Sequence, residues 1–232
     1  MDSIKLAPKT KITVAMISRN EEEAVGRVIV DIRRHCPEAE ILLVDSSTDR
    51  TASLAESMGA KVIRQFPPQG YGPAMESALR NASGEVIITL DCDNTYPADQ
   101  INHFADLVLS QGYDLVDGSR LRTKPRAMPY LNYFANFGFA LLASCLFAKR
   151  LTDLHSGMRA YRKSMIEALR FRSRGPALPV ELLLRPLISG YKIKLTFIEY
   201  NDRIGVSTMQ PLPSAWWTLK RVLAVRFGRA NS

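Results

Sequence analysis

The sequence has few of the residues that build metal clusters or disulfide frameworks. Its 232 residues include three cysteines and three histidines, and neither set has the spacing of zinc ligands. Cys36, Cys92 and Cys145 are widely separated and odd in number, which favours free thiols in a reducing compartment. An apolar signal region is also missing near the N-terminus, so we expect a cytoplasmic protein.

Repeats and low-complexity tracts are absent too, and 46% of the residues are hydrophobic, as in an ordinary globular protein. Charge is divided unevenly along the chain. The net charge of +8 arises from −7 over residues 1–117 and +15 over residues 118–232. A basic half predicts a polyanionic partner, such as phosphates, an anionic membrane surface or nucleic acid. A basic surface that serves only solubility is the alternative.

Short apolar runs alternate with helical segments. Seven strands are predicted, in chain order, at residues 11–17, 40–44, 61–65, 86–90, 114–116, 156–162 and 192–200. Helices lie between them, and the first is expected to begin at an Asn20 cap and to end near His35. This alternation predicts right-handed crossovers and an α/β fold with a mainly parallel sheet flanked by helices.

Two carboxylates follow the fourth strand. Asp91-Cys92-Asp93 comes directly after the apolar run 86–90, and Pro97 then permits a helix to begin. In open α/β sheets, ligands bind at the carboxyl ends of the strands. The pair therefore offers hard oxygen ligands for Mg²⁺ or Mn²⁺ and, through the ion, a place for a diphosphate. Solvated turn acids that cap the next helix are the alternative.

Three further segments predict either a ligand-binding loop or a helix at a surface. The loop 66–73 contains Gly70 and Gly72, where backbone amides can approach a ligand or simply form a turn. Residues 129–148 carry no charge, and we favour a helix at the protein or membrane surface, with a core helix as the alternative. We expect one domain over 1–212 and a C-terminal amphipathic helix over 213–232, either at a membrane interface or docked on the core.

Seven separated motifs occur in a fixed order between residues 11 and 209. They are Ser18-Arg19-Asn20-Glu21-Glu22, Val44-Asp45-Ser46-Ser47-Thr48-Asp49-Arg50-Thr51, Gly70-Tyr71-Gly72, Asp91-Cys92-Asp93, Gly118-Ser119-Arg120, Thr152-Asp153-Leu154-His155-Ser156-Gly157-Met158-Arg159 and Arg203-Ile204-Gly205-Val206-Ser207. As a set they resemble the family-2 glycosyltransferases of the GT-A fold, most closely the dolichol- or polyprenyl-phosphate sugar synthases. Unlike the membrane-embedded members of that group, the chain has no pair of transmembrane segments after these motifs.

This resemblance implies a catalytic set, which is Asp93, Arg120, Asp153, Arg159 and Arg203, and three groups of binding residues. A nucleotide-sugar, GDP- or UDP-linked, would be bound by Ser18, Asn20, Glu21, Asp45, Asp49, Gly70, Gly72, Asp91, Cys92 and Asp93. The metal, Mg²⁺ or Mn²⁺, would be held by Asp91 and Asp93, with Thr95 as a third contact where the synthases often have glutamine. The acceptor phosphate would be bound by Arg120, Ser156, Arg159 and Arg203.

The implied acceptor is a polyprenyl or dolichyl phosphate, reached at the cytoplasmic face of a membrane. Its phosphate oxygen is already anionic at neutral pH, so it attacks in line without a strong base and inverts the anomeric centre. Asp153 is the one acid between Asp117 and Glu167. It is therefore either a general base or a residue that orients an arginine, and we rank the second role higher.

Four alternatives remain at this point. In the first, the sugar is transferred to a soluble acceptor. A hydroxyl group of such an acceptor needs a general base, and Asp153 is the candidate for it. A sugar nucleotidyltransferase shares a similar sheet, but it would carry a glycine-rich basic loop directly after the first strand, where this chain has Ser18-Arg19-Asn20-Glu21. The run Asp91-Cys92-Asp93-Asn94-Thr95 also matches phosphatases of the haloacid-dehalogenase type, but three strand–helix units precede it and no suitable acidic pair follows. A basic module for nucleic acid explains the charge but not the ordered acids, so we expect no nucleic-acid partner.

Overall fold

A computed structural model of the protein describes residues 11–126, 128–205 and 211–228. Val206 and Ser207 of the last predicted motif lie outside these ranges, as do the ends of the predicted domains at residues 1 and 232. The sheet contains β1 (Ile12–Ser18), β2 (Glu40–Asp45), β3 (Lys61–Arg64), β4 (Val86–Asp91), β5 (Leu115–Ser119), β6 (Arg159–Arg162) and β7 (Ile193–Phe197). The helices are α1 (Val25–His35), α2 (Thr51–Ser57), α3 (Tyr71–Asn81), α4 (Ile101–Leu109), α5 (Tyr130–Phe147), α6 (Lys163–Ala168), α7 (Leu178–Ile188) and α8 (Pro211–Phe227).

The seven strands form one sheet in the order β3-β2-β1-β4-β6-β5-β7. All neighbouring pairs are parallel except those of β6, which runs antiparallel to both β4 and β5. The expected mixed, mainly parallel sheet is therefore confirmed. The central strands read as continuous apolar runs because helices cover both faces of the sheet.

Each face of the sheet has its own core. Ile29 of α1 and Phe104 of α4 pack on one face, whereas Leu79 of α3 and Leu183 of α7 pack on the other. Charged side chains are rare in both cores, and the buried Asp117 and Arg159 of β5 and β6 pair with each other. This arrangement leaves the carboxyl edge of the sheet as the place for a polar site.

The strand register brings the predicted acids to that edge. Ser18, the last residue of β1, pairs with Asp45, the last residue of β2. Ile17 pairs on its other side with Asp91, which ends β4. Three motifs that lie 27 to 73 residues apart in sequence therefore meet at one end of three adjacent strands.

Asn20 does not cap the first helix, and that prediction is wrong. Helix α1 begins only at Val25, after a turn in which the amides of Ala24 and Val25 donate to the Glu21 carbonyl. Asn20 has a left-handed φ of 58°, which a small polar residue tolerates. Its side-chain oxygen instead accepts a hydrogen bond from the Thr48 amide at 2.9 Å, so it joins two loops of the site edge.

Helix α5 lies on the surface, which excludes the core-helix alternative. Only Ala140 and Ala143 are buried along its 18 residues. By length and mean hydropathy, 1.3 over Tyr130–Phe147, it is also long and apolar enough to cross a membrane. Because only 11% of that window is buried, a broad apolar face is left without a protein partner among the described residues.

Helix α8 packs against α5 and α7, so the terminal helix is docked on the protein. Val222 and Val225 are buried, whereas Trp216 and Phe227 are 58% and 67% exposed. The Arg221 guanidinium donates to Glu181 of α7, a buried carboxylate that also pairs with Arg185 at 2.7 Å. The tail is thus docked on the protein, and a membrane contact of its exposed face stays a prediction.

Candidate active site

The two carboxylates at the end of β4, Asp91 and Asp93, differ in their hydrogen-bond partners. Asp93 is buried, and its Oδ1 accepts hydrogen bonds from the Thr95 amide at 3.1 Å and the Thr95 hydroxyl at 2.5 Å. Its Oδ2 accepts from Arg203 at 2.5 Å. Thr95 is fully buried and serves to orient Asp93, so its predicted role as a third metal contact is not supported.

The Asp91 carboxylate makes no hydrogen bond or ion pair with any other described residue. Burial, together with the neighbouring Asp93 charge, raises its pKa to about 7. The nearby guanidinium groups of Arg120 and Arg203 oppose this rise. An acid held beside a second acid without a partner of its own is a candidate binding position for a cation.

Gly157 forms the wall against which Asp91 lies. A Cβ atom at this residue would be 2.8 Å from both carboxylate oxygens of Asp91. The backbone amide of Gly157 donates to the Tyr96 hydroxyl at 2.7 Å, which fixes the wall in place. The space around Asp91 therefore depends on the absence of a side chain at residue 157.

Arg203 joins the segment after β7 to the acidic turn. Its two terminal nitrogens contact Asp93 and, at 2.7 Å, Glu21. Burial raises the pKa of Glu21 to about 7, although Arg203 opposes the shift. The predicted proximity of Asp93 and the Arg203 guanidinium is thus present in the structure.

Arg120 stands beside the same turn and is held by Asp153. Its Nε and Nη2 donate to the two oxygens of Asp153 at 2.7 and 3.0 Å, and it stacks on the Tyr200 ring at 5.2 Å. Burial raises the pKa of Asp153, but the charge and hydrogen bonds of Arg120 outweigh it, and the pKa is lowered. Asp153 consequently orients an arginine, which was the role ranked higher, and is a poor general base.

The acceptor role of Arg159 and Ser156 does not fit their positions. Arg159 is fully buried between strands, where it pairs with Asp117 at 2.6 Å and donates to the carbonyls of Pro179 and Leu154. The Ser156 hydroxyl is also buried and donates to the Gly118 carbonyl. Both residues brace the loop that carries Asp153, and neither is presented to a substrate.

The side of the edge that is predicted to bind the nucleotide is built on Asp45. This fully buried carboxylate accepts from the hydroxyls of Ser18 at 2.6 Å and Ser47 at 2.5 Å, and it lies 3.3 Å from Arg64. Asp49 similarly accepts from the Thr51 amide and hydroxyl. Ser18, Asp45 and Asp49 therefore shape the loops here, and a direct base or ribose contact by them stays a prediction.

A cavity of about 470 Å³ opens beside these loops. It is lined by Arg19, Asn20, Glu21, Glu22, Glu23, Asp49 and Gly205. Asn20, Glu21 and Asp49 of the predicted nucleotide-sugar set thus share one concave surface. The cavity adjoins Arg203 through Glu21, so it lies next to the acidic turn.

Three other predicted donor residues are placed differently. The Cys92 side chain is buried in the core, and burial raises its pKa above the usual range. Gly72 lies inside α3, where a Cβ atom would be 1.5 Å from the Ser173 carbonyl oxygen, so it permits close packing. Gly70 precedes α3 with a φ of 96°, a turn conformation that favours glycine. A nucleotide contact is not supported for the side chain of Cys92 or for Gly72.

Sequence reasoning missed Tyr96 and Tyr200. The two rings meet edge to face with centroids 5.6 Å apart, between Gly157 on one side and Arg120 on the other. A signal was available for Tyr96, which is an aromatic residue in the polar turn directly after Asp93. Tyr200 gave no such signal, because it ends the predicted strand 192–200 and reads there as an ordinary core residue.

The donor set of the acidic turn fits Mg²⁺ or Mn²⁺. No cluster of three His, Cys, Asp or Glu residues that would hold a metal by itself occurs in the described ranges. Mg²⁺, however, is ordinarily bound through one or two carboxylates together with waters and substrate phosphates. The unpartnered Asp91 carboxylate and the adjacent Asp93 supply that pair, and the raised pKa of Asp91 marks an uncompensated negative charge.

Replacing Asp91 by asparagine is expected to stabilise the metal-free protein at pH 8. The folded-state pKa of about 7 lies above the reference value of 3.8, so the contribution of the carboxylate to stability is full below pH 3.8 and is lost as pH rises through 7. We expect the free energy of unfolding in urea with EDTA to rise by about 1–3 kcal/mol at pH 8. At pH 4 the two proteins should be nearly equal, and a less stable variant at pH 8 would contradict this account.

A sheet of this order, with paired acids at the end of β4 and arginines gathered around them, defines the GT-A class of glycosyltransferases. A solved glucosyl-3-phosphoglycerate synthase from Mycobacterium tuberculosis, in complex with Mn²⁺, UDP and phosphoglyceric acid, has the same fold. It superimposes with a TM-score of 0.73 at 20% identity, over 96% of this chain and 80% of its own.

Residues 13–170 match the model of the family described as glycosyl transferase family 2, and the chain belongs to that family. A dolichyl-phosphate hexose transferase of Haloferax volcanii is 41% identical over 201 residues, 86% of this chain and 87% of the relative. A UDP-N-acetylglucosamine–dolichyl-phosphate N-acetylglucosaminyltransferase of Methanococcus voltae is 23% identical over 82% and 87% of the two chains. The predicted family and fold are confirmed, and the phosphatase alternative is wrong.

Proposed function

We propose that this glycosyltransferase moves a hexose from a GDP- or UDP-linked sugar to a polyprenyl phosphate of the dolichyl type, with inversion and with Mg²⁺ or Mn²⁺. The observation that carries the acceptor assignment is the state of Asp153. Its two oxygens bind Arg120, and its pKa is lowered. A hydroxyl acceptor needs a base at this place, whereas an anionic phosphate does not.

The arginine held by Asp153 is suited to an incoming anion. Nε and Nη2 of Arg120 bind the carboxylate, and Nη1 makes no hydrogen bond within the described residues. The guanidinium is thereby fixed in orientation with one nitrogen left for a phosphate oxygen. The name of the Haloferax relative, a dolichyl-phosphate hexose transferase, supports the same acceptor class.

The two acids after β4 would act on the leaving group through the metal ion. Asp91 and Asp93 would hold the ion, which when bound neutralises the departing nucleoside diphosphate. The cavity beside Glu21 and Asp49 would take the nucleoside. Arg120 approaches Asp91 closely enough to lower its pKa, so the acceptor and donor groups meet at one end of the sheet. Positioning and charge neutralisation then supply most of the rate.

The assignment is tested with sugar nucleotides and a lipid acceptor. GDP- and UDP-linked hexoses are screened for thermal stabilisation with and without Mn²⁺, since a ligand at 100 times its Kd stabilises by about 2.7 kcal/mol. The stabilising donor is then assayed with a polyprenyl phosphate and with soluble hydroxyl acceptors. We expect transfer to the lipid phosphate and none after Asp91→Asn. Transfer to the soluble acceptors alone would refute the proposed acceptor.

A lipid acceptor places the enzyme at a membrane, and the α5–α8 surface is the part suited to it. This surface comprises the exposed residues Tyr130, Leu131, Phe134, Phe137 and Leu141 of α5 with Trp216, Leu223 and Phe227 of α8. Cations lie over its aromatic rings, as in the 4.2 Å contact of Lys124 with Tyr130. Aromatic residues ringed by lysine and arginine are typical of helices in an anionic membrane interface. The free cysteines agree with the cytoplasmic face.

Phe134→Asp is expected to weaken binding to anionic vesicles by at least about tenfold, because a buried phenylalanine contributes about 1.5–3 kcal/mol and the new charge is repelled. Binding is measured by vesicle sedimentation with phosphatidylglycerol and with phosphatidylcholine alone. Val30→Asp, an exposed apolar residue of α1, is the matched control and should bind normally. Equal loss in both variants would contradict the assigned surface.

A further inference from the structure

Arg203 occupies a position that the proposed function gives to a metal ion. Its Nη1 contacts Oδ2 of Asp93 at 2.5 Å, and Oδ1 of the same carboxylate is already occupied by Thr95. Oδ2 is therefore the oxygen that remains for a cation. Within the described residues, a guanidinium is the cation found there.

The same contact fastens a whole segment to the acidic turn. The amide of Ile204 donates to the Asp93 carbonyl at 3.0 Å, and that of Asn201 donates to the Thr95 carbonyl at 2.9 Å. The Asn94 side chain donates to the Asp202 carbonyl at 3.2 Å. Gly205 then lies against Glu21 and lines the cavity of the nucleotide side. Residues 201–205 thus lie across the turn and reach the rim of that cavity.

The arginine is held there imperfectly. Its Nε is buried and lacks a hydrogen-bond partner in the described part of the chain. A buried donor without an acceptor is unfavourable, so this arrangement leaves one donor of Arg203 for another partner. A guanidinium that has carboxylates on one side and an unused donor on the other is poised to exchange partners.

We infer that Arg203 is an internal counter-ion for Asp93, and that residues 201–205 form a latch which a divalent cation releases. When the cation is bound at Asp91 and Asp93, Arg203 withdraws from Oδ2 and becomes available to an anionic substrate group. In the absence of the cation, the ion pairs to Asp93 and Glu21 hold the latch against the turn. Binding of the cation and release of Arg203 are then one event. This inference rests on the proposed metal site.

Arg203→Gln is expected to bind Mn²⁺ about ten- to a hundredfold more tightly than the native chain, because a hydrogen bond to a charged group contributes about 1.5–3 kcal/mol. Free Mn²⁺ is measured by electron paramagnetic resonance without donor or acceptor. Arg50→Gln is the matched control, since it removes an exposed arginine paired with Glu22 at the same edge. It should change the affinity by less than about twofold.

Hydrogen exchange of the amides of Asn201 and Ile204 reports the latch directly. In the native chain, Mn²⁺ should accelerate both amides, whereas in Arg203→Gln both should exchange fast with or without the ion. Equal or weaker Mn²⁺ binding by Arg203→Gln, or native amides that do not respond to bound Mn²⁺, would overturn the inference while metal-dependent transfer stood. If neither protein binds Mn²⁺ and transfer proceeds in EDTA, the metal site itself is wrong and the inference falls with it.

Discussion

Replacing Gly157 by alanine is expected to slow sugar transfer by about a hundredfold while leaving the protein folded. The added methyl group would lie 2.8 Å from both oxygens of Asp91, which is closer than non-bonded atoms approach. The carboxylate has no partner in the described residues that holds it, so it turns aside and the backbone need not move. Displacing a reacting group by about 1 Å commonly costs a factor of about 100 in rate.

The measurement is kcat with saturating donor and acceptor, together with Mn²⁺ affinity and the thermal midpoint. Both kcat and Mn²⁺ affinity should fall, and the midpoint should change little. Gly26→Ala is the control, because a Cβ atom there would meet Met58 at an ordinary 3.6 Å and alanine favours a helix. An unchanged kcat in Gly157→Ala would show that Asp91 does not depend on the shape of this wall.

Asp117→Asn is expected to produce the largest loss of stability, about 3–5 kcal/mol. Asp117 of β5 faces Arg159 of β6 across the antiparallel pair, and both side chains are almost fully buried. Burial alone would lower the pKa of Arg159, but the Asp117 carboxylate raises it above its usual range. Removing that carboxylate leaves a buried positive charge with only neutral partners.

Urea denaturation followed by circular dichroism measures this loss. Asp31→Asn, which breaks the exposed pair of Asp31 and Arg34, should change stability by less than about 1 kcal/mol. The double variant Asp117→Leu with Arg159→Met should recover part of the loss, since buried ion pairs are often replaceable by apolar residues of similar volume. A single variant as stable as Asp31→Asn would contradict the structural role assigned to Arg159.

The sheet and its acidic edge were predictable because their causes are local. Each of the first five strands is a short apolar run bounded by turn residues, and the observed strands differ from the predicted ones by only a few residues. The position of Asp91 at the carboxyl end of a strand followed from the pattern, whereas its meeting with Ser18 and Asp45 was implied by the family motifs. The pairing of Asp93 with Arg203 needed the family motifs as well.

What escaped prediction depends on contacts between distant segments. Arg159 carries the same guanidinium as Arg120, and only the antiparallel placement of β6 beside β5 turns it inward to Asp117. No local feature of the sequence shows that β6 is antiparallel, because the pattern of its four residues does not indicate the direction of the strand. Asn20 likewise has the composition of a helix cap, but Thr48 competes for its side chain.

The ion pair between Glu181 and Arg221 has a consequence for how the protein is made. Glu181 emerges from the ribosome 40 residues before Arg221, whereas Arg185, which also pairs with it, lies in the same helix. The contact between α8 and α7 therefore forms late in translation, after all seven strands have been synthesised. A nascent chain is therefore expected to form the acidic edge of the sheet before helix α8 docks on α7.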